Sequence, residues 1–309
     1  MKKLFIAAAV SATLLSPLAA HAQKIGLAMA ELDTFLTILK NGVVDAGKKA
    51  GATVQVEDAQ ADVGKQLSQI QNLIAQKVDA IIVNPVDTDA TPKITKMVTD
   101  AKIPLIYVNR KPVDFDKLPA GVAFVASDEK ISGTVQTQEV CRMLKGKGNI
   151  LVLMGELSNE AARTRTKDIE EVIATSACSG MKIVDKKEGK WDRIKGQDIM
   201  TNWLSAGLQY DAVIANNDEM AIGVINALKA AKKWTPASIV AGIDATPDAL
   251  ASMKAGDLKV TVFQNAAGQG SGSVDAAIKL IKKQKVDRFV NVPFELVTPA
   301  NLAKYSGKN

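Results

Sequence analysis

Histidine is all but missing from this chain. Its one imidazole, His21, stands in an N-terminal stretch that reads as a removable leader. Met1-Lys2-Lys3 is a short basic start, Leu4 to Leu18 runs almost without polar interruption, and Ala20-His21-Ala22 offers small residues at alternate positions. A secretory signal peptide over residues 1–22 is expected, with Gln23 as the new N-terminus. Its apolar run is shorter than a bilayer needs, and no later stretch approaches that length. No cysteine lies near the cleavage site to carry a lipid. An exported, soluble chain without imidazole is the expectation. That excludes a Ser-His-Asp triad, a Cys-His pair and any histidine-bearing zinc site, while a glycosidase-type pair of carboxylates is left open.

Cysteine is scarce as well. Cys141 and Cys178 are the only two, and in an exported protein an even pair is expected to form a disulfide. Two thiols without histidine make half a zinc site at best, so no metal is expected. No glycine-rich turn follows the first strand, where Ala28-Met29-Ala30-Glu31 stands, and no dinucleotide or other cofactor is expected. The formal charge of +6 falls to +4 without Lys2 and Lys3. The lysines are scattered singly or in pairs, with no stripe of basic and aromatic residues, so nucleic acid is not an expected partner.

What the chain does have is alternation. Lys24 to Met29, Val54 to Val56, Ala80 to Val83 and Pro104 to Val108 read as strands in the first half. Ile150 to Met154, Lys182 to Val184, Ala212 to Ala215, Ser238 to Ala241 and Val260 to Phe263 do so in the second. Amphipathic stretches separate them, among them Phe35 to Ala50 closed by Gly51, Ala221 to Ala231, and Gln269 to Ile281. Nearly continuous apolar strands are what a parallel sheet covered on both faces requires. The fold class expected is α/β, with right-handed βαβ units in doubly wound parallel sheets. The length exceeds one ordinary core and no low-complexity linker interrupts it, which implies two lobes joined by short crossings.

Ligands collect at the carboxyl ends of such strands. Those ends carry Asp33 and Phe35, Asn109 and Arg110, Asn217, Asp244 and Gln264, with Arg165 on the helix after Met154 and Trp191 in a later loop. Carboxylates accept two hydroxyl protons, guanidinium forks donate to two oxygens, and amides do one of each. An aromatic ring covers a C–H face. Converging, these residues would suit a sugar or cyclic polyol. Taken alone, an Asp or Asn at a strand end is more often a cap or turn residue than a ligand contact, and Trp191 alone reads as well as lobe core. Glu57, Asp58, Asp87 and Asp89 also lie near strand ends and are read as solvated turn residues.

Five stretches carry a resemblance: Val83-Asn84-Pro85-Val86-Asp87-Thr88-Asp89-Ala90, Ala161-Ala162-Arg163-Thr164-Arg165, Trp191-Asp192-Arg193-Ile194-Lys195-Gly196, Asn216 to Gly223, and Gly242 to Ala249. Together they resemble the periplasmic binding proteins of sugar ABC importers, in the branch of ribose-, inositol- and rhizopine-binding proteins. The resemblance spans the chain beyond the leader. It implies a type I periplasmic binding fold with a multi-crossing hinge, an N-terminal lobe of residues 23–127 plus 265–291, and a C-terminal lobe of 128–264 plus 292–309. It implies sugar contacts at Phe35, Arg110, Arg165, Trp191, Asn217, Asp244 and Gln264, with Phe35 and Trp191 stacking on the ring. It further implies a periplasmic monomer that is not an enzyme. Its partners would be an inner-membrane permease and, as a second candidate, a chemoreceptor.

The chain departs from the ribose-type pattern inside that set. Asn109 stands where an Asp usually precedes the Arg, Asp33 where Asn is common, Leu36 where a second aromatic is common, and Trp191 where Phe is usual. Inositol or a related cyclic polyol therefore fits at least as well as ribose. An exported carbohydrate-active enzyme and a sensor for a sugar-like signal are the rival readings. A repressor of this superfamily would need a DNA-binding helix-turn-helix before Lys24, where only the leader stands.

Overall fold

The computed structural model describes residues 22–309, so the expected leader lies outside the described residues apart from Ala22. The chain runs β1 (Lys24–Met29), α1 (Thr34–Lys49), β2 (Thr53–Asp58), α2 (Val63–Ala75), β3 (Ala80–Val83), α3 (Thr91–Asp100), β4 (Leu105–Val108) and β5 (Val122–Ala126). It continues through α4 (Glu129–Met143), β6 (Lys147–Met154), α5 (Glu160–Ile173), β7 (Gly180–Glu188), α6 (Arg193–Ser205), β8 (Ala212–Ala215), α7 (Asp218–Ala230) and β9 (Ile239–Ala241). Then follow α8 (Pro247–Lys254), β10 (Thr261–Phe263), α9 (Ala266–Ile281), β11 (Phe289–Asn291) and β12 (Glu295–Val297).

The first sheet has the order β11-β5-β4-β3-β1-β2 and the second β7-β6-β8-β9, all pairs parallel. Ile81, Ile82, Leu105 and Ile106 are fully buried, because helices cover both faces of the first sheet. Capping side chains start the helices where the sequence supplies them. Asp33 accepts from Leu36 N, Asp62 from Lys65 N and Thr246 from Ala249 N, the last followed by Pro247 in the first turn.

The strands Val122–Ala126, Phe289–Asn291 and Glu295–Val297 were not among the expected ones, and one expected strand pairs differently. Val122–Ala126 is a full strand between β4 and β11. The expected parallel strand at Val260 to Phe263 pairs antiparallel with β12 and touches the second sheet only through single bridges, Ala241 to Val260 and Asp244 to Phe263. The reason is topological. The chain leaves β10 for α9, which packs on α1 in the first lobe, so the edge of β10 is open to the returning tail. Sheet membership carries the chain between lobes three times: from β5 to α4, from β10 to α9, and from β11 to β12. Cys141 on α4 and Cys178 beyond α5 are joined, with Cα atoms 5.8 Å apart.

Candidate functional site

Asp33, Phe35, Asn109, Arg110, Arg165, Trp191, Asn217, Asp244 and Gln264 all line one cavity between the lobes, together with Leu36 and Ala161. They leave about 380 Å³ of space between them, part of it open to solvent. Glu57, Asp58, Asp87 and Asp89 do not line it. Asp58 and Asp87 instead accept from the backbone of Gln60 and Asp89, as turn residues do. A larger cavity of about 620 Å³ beside the first crossing is walled by Phe115, Phe124 and Phe289 and contains none of the nine.

The first lobe contributes from the ends of β1 and β4. Asp33 caps α1, its carboxylate 2.6 Å from Leu36 N, and the first turn of the helix brings Phe35 alongside. Asn109 adopts φ of +67°, a conformation Asn tolerates better than most residues. Its amide is held by Asn84 and Gln269 at 3.4 and 3.1 Å. Arg110 is buried and donates to the carbonyls of Pro85 and Val86 and, at 3.3 Å, to Glu31.

The second lobe is more tightly wired. Arg165 on α5 donates through Nε and Nη2 to both oxygens of Glu129, at 2.7 and 3.0 Å. It also donates to Asn216 O at 2.7 Å and to Gln264 Oε1 at 3.2 Å. Trp191 turns out of the strand before α6 with φ of +66° and anchors its indole N–H on Asn159 at 3.0 Å. Its ring lies so close over Gly155 that an added Cβ would sit 2.2 Å from indole carbons, so no larger residue fits there. Asn217 is spent largely on structure: its oxygen caps α7 at Met220 N and its amide donates to Trp191 O, both at 3.0 Å.

The electrostatics are lopsided. Burial pushes the Asp33 carboxyl up to about 6, against the opposing Leu36 N–H and Arg110. Burial likewise holds Asp244 well above the usual carboxylate range, although Arg165 opposes it from 3.9 Å. Neighbouring Asp218 is raised to about 7 by burial and serves structure, accepting from Thr261 Oγ1 and Thr246 N. Burial lowers Arg110, with Glu31 and Asp33 resisting. For Arg165 burial is the largest single effect and works against the charge, but Glu129, Asp244 and Asp218 together carry the net direction upward. Both arginines thus arrive with a glutamate partner, while Asp244 meets Arg165 only at 3.9 Å and Asp33 feels Arg110 without a hydrogen bond to it. Gln264 Nε2 is buried and has no partner among the described residues.

Sequence reasoning missed Glu31, Glu129 and Asn159, which orient the lining rather than form it. Glu129 begins α4 directly after its Asp128 cap, where an acid is ordinary, so nothing local marked it.

A polar cavity between two parallel-sheet lobes joined by three short crossings defines a two-lobed ligand-binding protein. The chain belongs to the periplasmic binding protein family, whose domain matches residues 25–285. It is 58% identical over 311 residues, covering 100% of both chains, to a Rhizobium meliloti protein given the provisional name of rhizopine-binding protein. It is 32% identical to the ribose import binding protein RbsB of Salmonella typhimurium, covering 96% of this chain and 98% of that one. Among solved structures, it is similar to an ABC transporter solute binding protein from Bacillus halodurans with bound myo-inositol. That match has 42% identity and a TM-score of 0.87, and covers 93% of this chain and 98% of that one.

Proposed function

We propose that this chain is the periplasmic solute-binding component of an ABC importer and traps a cyclic polyol of the inositol type by hinge closure. The observation that carries this reading is the surplus of acceptors. Asp33, half-buried, and Asp244, buried, are carboxyls facing a cavity whose arginines are each bound to a glutamate, and the hydroxyls of a polyol would hydrogen-bond to them. Gln264 Nε2 offers a donor in return. A ring with a hydroxyl on every carbon supplies both, and Phe35 and Trp191 supply apolar cover for its C–H faces. The similar Bacillus halodurans protein was solved with bound myo-inositol, which supports the ligand class.

The lobe boundaries we propose are residues 23–127 with 265–291, and 128–264 with 292–309. Ligand touching both lobes completes its hydrogen bonds only in the closed form, which is the shape a permease or chemoreceptor would recognise. Binding without turnover is expected.

A thermal-shift screen of the protein from Gln23 onward, against inositol isomers, rhizopine, pentoses and hexoses, tests the reading. A ligand that binds only the folded state raises the melting temperature with occupancy. A rise with inositols exceeding that with ribose supports the proposal. A rise with ribose alone would move the protein to the pentose class, and no rise with any of them would remove the polyol claim.

A further inference from the structure

Glu129 is 7% exposed and Arg165 4%, so their ion pair is almost wholly buried, with Glu129 reaching the edge of the larger cavity beside the first crossing. The pair is bidentate, and Ser132 Oγ adds a third hydrogen bond to Glu129 at 3.1 Å. Counting the guanidinium's five N–H groups, two go to Glu129, one to Asn216 O and one to Gln264 Oε1. One N–H of Nη1 is left, on the side of Asp244 at 3.9 Å. Arg165 therefore reaches the cavity with its charge already matched and a single donor to offer. The carboxyl of Asp244 beside it shares that guanidinium with Glu129, and at 3.9 Å holds it more loosely. An arriving carboxylate would find no free guanidinium fork to bind, because a single N–H of Arg165 is left.

We infer that Glu129 is the positioning residue that sets the charge selectivity of this cavity, reserving its second-lobe half for neutral, hydroxyl-donating rings and excluding acid sugars. The inference rests on the polyol-binding reading. It goes further, because it assigns the exclusion to a residue that does not line the ligand cavity and acts only through Arg165. Specificity of this kind comes from repulsion as much as from attraction.

The test is calorimetry with myo-inositol and with D-glucuronate on the wild type, Glu129→Gln and Glu129→Asp, near neutral pH. Glu129→Gln keeps the shape of the side chain and releases the Arg165 charge. It should narrow the preference for myo-inositol over glucuronate by about tenfold or more, chiefly by gaining glucuronate affinity. Glu129→Asp keeps the charge and should hold the preference within about threefold of wild type. A merely structural role predicts equal losses for both ligands, and an unchanged ratio in Glu129→Gln overturns the inference. Glu129→Asn, shorter and equally neutral, carries the same expectation if Glu129→Gln does not fold. Wild-type protein that ignores myo-inositol overturns the polyol reading and this inference with it, whereas wild-type binding with an unmoved ratio overturns this inference alone.

Discussion

Asp33 has two duties that pull against each other. It caps α1 through Leu36 N, which favours the ionised carboxylate, and its carboxyl is desolvated in the half-buried cleft, which disfavours it; desolvation is the larger effect and raises the pKa to about 6. The folded state then holds its proton up to a higher pH than the unfolded chain, whose carboxyl titrates near 3.8. The stabilising contribution is complete below about pH 4 and is lost as pH rises through about 6. A ligand hydroxyl donating to Asp33 favours the ionised form, so affinity should rise with pH across the same window. Calorimetry with myo-inositol should show the dissociation constant weakening as pH falls from about 7 to about 5, with Asp33→Asn flattening that profile. Arg165→Ala is a harsher change. It strands Glu129 as a buried charge, so urea unfolding should show a loss of about 3–5 kcal/mol together with lost binding. A variant of wild-type stability would mean that the buried pair is not formed.

At the scale of elements, the Cys141–Cys178 bridge ties the end of α4 to the turn beyond α5 across a sequence separation of 37. A loop of that length corresponds to about 4 kcal/mol of unfolded-state entropy. Both cysteines lie by the N-terminal ends of β6 and β7, where Cys141 Sγ approaches Ala177 O, while the cavity sits at the carboxyl ends of the strands. The double variant Cys141→Ser/Cys178→Ser should therefore lose about 3–4 kcal/mol in denaturant unfolding while keeping its ligand affinity within about threefold. The main helices and strands were legible because periodicity and caps are local. The pairing of β10 was not, because its neighbour β12 comes from beyond a helix that belongs to the other lobe.

For the whole molecule, the contacts that matter for closure are the few hydrogen bonds that join the lobes away from the chain crossings themselves. Thr88 donates through N and Oγ1 to Ser158 O at 3.3 and 3.0 Å, and Asn159 Nδ2 donates to Val86 O at 3.0 Å. Asn159 also holds the Trp191 indole, so one side chain links lobe closure to the cavity wall. Asn159→Ala should shift the unliganded protein toward the open form and weaken ligand binding about tenfold. Small-angle scattering should record a larger radius of gyration for the unliganded variant, shrinking on ligand addition. An unchanged radius and affinity would show that these hydrogen bonds do not govern closure.

The sequence by itself determined the α/β alternation, the absence of imidazole beyond residue 21, and the residue types at the strand ends. Those properties follow from composition and from spacing along one segment at a time. Its family resemblance also named the side chains that meet in the cavity. Only the tertiary structure decided how those side chains are used. Glu129 precedes Arg165 by 36 residues, and Asn159 stands 32 before Trp191, so their pairing depends on how the lobe folds back on itself. Charge that reads as two free arginines in the sequence becomes, once Glu31 and Glu129 are in place, a cavity in which four carboxyls share two guanidinium groups. The balance of charge in a buried site is a property of distances, and distances between remote residues exist only in the folded chain.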